Sequence, residues 1–155
     1  MDLSYEATYH QLEEKHWWFA SRRDAMFDLI RALRLPTTAA ILKIGCLGGP
    51  LLQLLRAAGY TDITGIDVST AAIELAQARG VPAVTVIDGA ALAFGSGRFD
   101  LVIASDVLEH IENEFQALQE WVRVLRPGGQ LLVFVSANAY LWSRHEVVSH
   151  HFRHY

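Results

Sequence analysis

Three glycines, Gly45, Gly48 and Gly49, follow the apolar run Ile41-Leu42-Lys43-Ile44 and stand just before a helical pattern that begins at Leu51. A strand running through a glycine turn into a helix offers backbone N–H donors at the helix start. Residues without a β-carbon also let a ligand approach the backbone closely. That combination suits a nucleotide-type cofactor. Asp67 falls 22 residues after Gly45, at the end of a second apolar run, where a carboxylate can accept hydrogen bonds from ribose hydroxyls. Its plainer role is a cap for the next turn. Asp88 ends a third run and is followed by Gly89-Ala90. A carboxylate there can accept from an adenine amino group while its small neighbours let the base lie flat. The competing role is an Asx-turn. Ser105 and Asp106 follow a fourth run and border the space in front of such a ligand.

These residues need elements to hold them. Ser21 can cap a helix running to about Arg34, with Met26, Phe27, Ile30 and Leu33 on one face, and Pro36 ends it. Short apolar runs at 39–44, 63–66, 81–87, 99–104 and 131–135 read as five strands. Helical patterns at 51–58, 70–79 (capped by Ser69) and 112–125 alternate with them. The last is closed by Pro127-Gly128-Gly129. Strands alternating with helices predict an α/β fold, a Rossmann-like, doubly wound, mostly parallel sheet with helices on both faces. Ligands of such sheets lie beyond the carboxyl ends of the strands, where Lys43, Asp67, Asp88, Ser105, Asp106, Ser136 and Asn138 fall. Residues 1–38, with Tyr5, Tyr9, His16, Trp17, Trp18 and Phe19, read as an N-terminal helical and aromatic lid segment. Residues 39–155 read as the cofactor-binding domain.

The chain has 155 residues, enough for one domain with a real core. Hydrophobic residues make up 52% and charged ones 19%, which excludes a disordered chain. A net charge of −4 argues against a nucleic-acid surface, and no apolar run approaches the roughly 20 residues of a membrane span. The single cysteine, Cys46, cannot make an internal disulfide, and no signal peptide is visible. Together these predict a cytoplasmic location. Cys46 reads as a small buried thiol, and Trp17, Trp18, Trp121 and Trp142 as packing residues. His145, His150, His151 and His154 lack the companion ligands of a metal site, so no metal is expected.

Four segments carry a specific resemblance: 41–49, 64–69 (Thr-Gly-Ile-Asp-Val-Ser), 99–111 (Phe-Asp-Leu-Val-Ile-Ala-Ser-Asp-Val-Leu-Glu-His-Ile) and 123–135 (Arg-Val-Leu-Arg-Pro-Gly-Gly-Gln-Leu-Leu-Val-Phe-Val). With them the chain resembles the class I, Rossmann-like S-adenosylmethionine-dependent methyltransferases, in particular the type 11 or UbiE-like group. The stretch His16-Trp17-Trp18-Phe19 with Arg22-Arg23 is similar to an N-terminal lid of some members that act on sugars or lipid-linked compounds. The resemblance implies S-adenosylmethionine as cofactor, S-adenosylhomocysteine as product and a small-molecule acceptor. It places Gly45, Cys46, Leu47 and Gly49 against the methionine part. Asp67 with Val68 would hold the ribose, Asp88, Gly89 and Ala90 the adenine, and Ser105 would line the methionine end. His110 is the candidate general base for a hydroxyl acceptor. Its plainer role, with Glu109, is to shape the following turn.

Two positions depart from that family's pattern. Lys43 stands where an acid is usual, and brings a like charge toward an ammonium and a sulfonium. Leu47 stands where a glycine is usual and resists positive φ, which Gly48 could relieve by shifting the turn one residue. The usual two further strands have little chain left to form after residue 135. The fifth strand is therefore expected to be an exposed apolar edge, open to the tail, to a second copy in a homodimer, or to the rest of a longer domain. Two alternatives stay open. One is a nicotinamide-dependent oxidoreductase, which would use Asp67 equally well but lacks the Gly-x-Gly-x-x-Gly spacing. The other is a degenerate methyltransferase fold serving as a binding or regulatory partner.

Overall fold

The computed structural model describes residues 17–81 and 83–135. Its elements run α1 (Trp17–Ala32), β1 (Ala40–Ile44), α2 (Pro50–Ala57), β2 (Asp62–Asp67), α3 (Thr70–Ala78), β3 (Val84–Val86), β4 (Phe99–Ser105), a short 3-10 turn (Leu108–His110), α4 (Glu114–Val124) and β5 (Leu125–Phe134). The five strands are parallel in the order β3-β2-β1-β4-β5. Strand order therefore reverses between β1 and β4, and their carboxyl ends flank the place where such sheets hold ligands.

Period-two alternation sorts the strand residues between two cores. Ile41, Ile63, Leu101 and Ile103 face one way, onto Met26 and Ile30 of α1, Leu52 and Leu55 of α2, and Ile73 of α3. Leu42, Ile44, Ile66, Val102 and Ala104 face the other way, onto Trp121 and Val124 of α4. Each fully buried aliphatic side chain contributes roughly 1.5–3 kcal/mol relative to exposure. The apolar face expected of α1 is the one it buries. Met26 and Ile30 are buried, while Phe27 and Leu33 pack partly against the same core.

Several boundaries differ from the sequence reading. Ser21 lies inside α1 and caps nothing, because the aromatic stretch from Trp17 is already helical. The third strand shrinks from 81–87 to three residues, which among the described residues pair with Gly65, Ile66 and Asp67 of β2. The fourth helix begins at Glu114 instead of residue 112, since the Asn113 side chain accepts from the Gln116 N–H and fixes the start there. The fifth strand pairs earlier than expected. Leu125 opposes Phe99 and Gln130 opposes Leu101, so residues 126–129, with Gly128 at φ 81°, loop outward between them. Ser69 does cap α3, its hydroxyl accepting from the Ala72 N–H at 3.1 Å.

Candidate functional site

The glycine turn is built as β1 ends. Gly45 has φ 63°, and a β-carbon there would collide with Val107. Gly49, with φ 79°, caps α2 ahead of Pro50. The turn is closed by the Cys46 N–H donating to Ile66 O at 2.9 Å and the Gly49 N–H donating to Cys46 O at 3.0 Å. Leu47 takes the left-handed conformation itself, with φ 51°, and Gly48 is not among the positive-φ glycines. The expected one-residue shift onto Gly48 does not occur. A β-carbon at Gly48 would meet the mobile ends of the Arg79 and Leu75 side chains, and the Arg79 guanidinium donates to Gly48 O at 3.0 Å. The strain at Leu47, about 1–2 kcal/mol, is offset in part by its N–H, which donates to Asp67 Oδ2 at 2.9 Å.

Asp67 is thus half of a link between two turns. Its other oxygen accepts from the Ser69 N–H at 3.0 Å, and the residue is only 8% exposed. The plainer of its two expected roles is the one observed: the carboxylate organises the next turn, and each oxygen keeps a second lone pair. Val68 beside it is 70% exposed. Val86, which opposes Asp67 on β3, is also exposed. Asp88 lies one residue past Ile87, whose N–H donates to Asp67 O at 3.0 Å. The Asp88 carboxylate accepts from the Ala90 N–H at 2.8 Å, an Asx-turn, while the residue stays exposed. Gly89 is buried, and its carbonyl accepts from the Trp121 indole at 2.7 Å. That bond accounts for Trp121 as a packing residue.

Lys43 is the central surprise. It lies in the middle of a fully buried strand, 3% exposed, on the face of Ile41 that meets α1 and α2. Its ammonium donates to Ile44 O at 2.8 Å, Gly45 O at 2.8 Å and Ser105 Oγ at 2.9 Å. An ammonium has three hydrogens, and each of these oxygen atoms can accept one. The lysine does not turn away from the glycine turn; it ties the end of β1 to the end of β4.

Asp106 completes the arrangement. It adopts φ 54°, and its N–H donates to Phe134 O at 2.9 Å. Arg22 of α1 reaches its carboxylate at 2.7 Å. Burial pushes the Asp106 carboxyl above the usual carboxylate range, with Arg22 pulling the other way and buried Glu109 adding to the rise. Phe19, Arg22, Arg23, Met26, Lys43, Gly45, Cys46, Leu47, Pro50, Leu51, Ser105 and Asp106 enclose a cavity of about 50 Å³. Small-molecule pockets run to roughly 300–1,000 Å³. Helix α1 therefore fills the space in front of the glycine turn.

The structure brings Gly45, Cys46, Leu47 and Ser105 to one cavity and places Asp67, Val68, Asp88, Gly89 and Ala90 along the ends of β2 and β3. His110 closes the 3-10 turn, its N–H donating to Val107 O at 2.9 Å, and it does not line the cavity. Ser136, Asn138, the tail histidines and Trp142 lie outside the described residues. Sequence reasoning placed Lys43, Ser105 and Asp106 at the ligand end of the sheet but missed the bond of Lys43 to Ser105 and the pairing of Asp106 with Arg22. The parity of β1 was the available signal, since Lys43 shares a face with Ile41.

Comparison with known proteins points the same way. The methyltransferase domain family matches residues 42–133. A ubiquinone biosynthesis O-methyltransferase of Aromatoleum aromaticum is 30% identical over 129 residues, covering 74% of this chain and 55% of that protein. The solved structure of the cyclase SpnF is 28% identical with a TM-score of 0.65, over 74% of this chain and 46% of that one. A chain from the solved complex of the Haloferax volcanii Trm112 methyltransferase activator shares the fold over 96% of this chain and 66% of its own, at 23% identity and TM-score 0.74. The chain spans between 21% and 55% of the length of the curated relatives it matches.

Proposed function

The chain belongs to the methyltransferase domain family, and from that premise we propose that it is the cofactor-binding part of an S-adenosylmethionine-dependent enzyme that methylates a small molecule, a sugar or lipid-linked intermediate among the candidates. The observation that carries this reading is Asp67. Its buried carboxylate joins the glycine turn to the β2–α3 turn at the end of the second strand, where a ribose would lie.

The residues suit the two halves of the cofactor unequally. Asp67 has lone pairs for ribose hydroxyls, Val68 offers an exposed apolar face, and Asp88 offers an exposed carboxylate to an adenine amino group. The methionine half does not fit, because Lys43 holds a cation at Gly45 and Ser105, the residues assigned to that end. Bound cofactor would supply a methyl group on a sulfonium. In this reading α1 is the lid over the glycine turn, and His110, the base expected for a hydroxyl acceptor, stands outside the cavity lining.

Lys43 favours a second reading, a methyltransferase fold that keeps a nucleoside site without methyl transfer. Fold does not fix function, and SpnF is a cyclase on the same architecture. Calorimetric titration with S-adenosylmethionine separates the two. The first reading expects micromolar binding that Asp67→Ala abolishes. No binding at millimolar cofactor would favour the second.

A further inference from the structure

We propose that Lys43 is a built-in occupant of the site's ammonium-accepting corner, so that the site prefers uncharged adenosine thioethers to the sulfonium cofactor. The inference rests on the nucleoside-site reading above and goes on to name the ligand that site selects.

The acceptors are Gly45 O, Ile44 O and Ser105 Oγ, converging on Lys43 Nζ at 2.8–2.9 Å. A free amino-acid ammonium reaching this corner would need the same oxygen atoms. It would compete with a tethered cation, which loses no translational freedom on binding. Arg22, Arg23, Lys43 and Asp106 are the charged residues among the described lining, with Arg22 paired to Asp106 and Arg23 to Asp24. S-adenosylmethionine carries two positive centres, its sulfonium and its ammonium, and one carboxylate, a net charge of +1, and the centre that would meet Lys43's acceptors is the ammonium. 5′-Methylthioadenosine has the same nucleoside and sulfur with neither positive centre. Like charges in a cleft of low dielectric repel strongly enough to separate the two ligands by tenfold or more, on the order of one pK unit. Asp67, Val68 and Asp88 lie along β2 and β3, away from the lysine's acceptors, and serve both ligands alike.

The test is titration of the full chain with 5′-methylthioadenosine and with S-adenosylmethionine, repeated on Lys43→Met and Lys43→Asp after circular dichroism shows each variant folded. In the wild-type chain the thioether binds about tenfold more tightly or better. The ratio falls toward one in Lys43→Met and inverts in Lys43→Asp. Wild-type binding of S-adenosylmethionine as tight as that of the thioether overturns the inference and leaves the cofactor reading standing. So does a ratio that neither folded variant moves. Binding of neither nucleoside to any of the three proteins overturns both. The wild-type ratio decides even if a variant does not fold.

Discussion

Arg22 Nη2 lies 2.7 Å from Asp106 Oδ1, so one ion pair joins the helix over the glycine turn to the turn that follows the fourth strand. Both side chains are partly shielded, and Asp106 is itself held at φ 54°. The pair closes the cavity that Cys46 lines, and Cys46 is 4% exposed. Since Cys46 is the chain's single cysteine, its thiol reports opening of α1 directly. Arg22→Ala is expected to raise the rate of thiol modification by about five- to tenfold, the effect of making local opening easier by roughly 1 kcal/mol. Arg22→Lys should retain most of the protection. An unchanged rate in Arg22→Ala would mean that this ion pair does not hold the helix down and that packing such as that of Met26 and Ile30 does.

Two aspartates should give opposite pH signatures. Burial raises the Asp106 carboxyl above its ordinary value of 3.8, so the folded chain takes up its proton more readily than the unfolded chain does. Its contribution to stability is greatest below that value and is lost as pH rises through the folded-state value. Asp100 is lowered, first by the Ala40 N–H that donates to it at 2.8 Å and then by Arg126. Its contribution is present above 3.8 and is lost as pH falls through the lower folded-state value. Urea unfolding across this acidic range should therefore show Asp106→Asn gaining on the wild type as pH rises, and Asp100→Asn losing ground. Parallel profiles for the two variants would contradict both assignments.

Gly45 carries two independent constraints, a left-handed backbone and a β-carbon position already filled by Val107. Gly45→Ala should destabilise the fold by about 2–4 kcal/mol, roughly 1–2 from the backbone and the rest from overpacking. The double variant Gly45→Ala/Val107→Ala relieves only the collision. Its stability should exceed the sum of the single effects by about 1 kcal/mol in a double-mutant cycle. Simple additivity would show that Val107 moves aside at no cost.

What the sequence revealed was the scaffold of the site. Ile41-Leu42-Lys43-Ile44 followed by glycines, and Asp67 at its distance from Gly45, can be read from composition and spacing because strand burial and turn backbone are local demands. Ser69 could be identified as a cap for the same reason. Lys43 could not be understood this way. Charge alone predicts repulsion from a ligand, whereas the structure satisfies the ammonium with oxygen atoms from Gly45 and, 62 positions along the chain, from Ser105. The start of α1 was missed because Ser21 has cap chemistry but sits in a run of helical backbone. The pairing of Leu125 with Phe99 was hidden by Pro127-Gly128-Gly129, which reads as a terminator and is in fact an outward loop between paired stretches.

The fifth strand is the outer strand of the sheet among the described residues, and Leu131, Leu132, Val133 and Phe134 on it are only partly buried. Phe134 O accepts from the Asp106 N–H, so the even-numbered positions bond inward to β4. The N–H groups of Leu131 and Val133 then point away from β4, on the side where no described strand pairs. Sedimentation over a concentration series should show reversible self-association. Val133→Pro removes one outward donor without touching the inward ladder, since proline is tolerated on an edge strand at such a position. That variant should stay folded, give a sheet signal like the wild type in circular dichroism, and lose self-association by about tenfold or more. A wild-type chain that remains monomeric at every concentration would show that this edge does not pair with another copy.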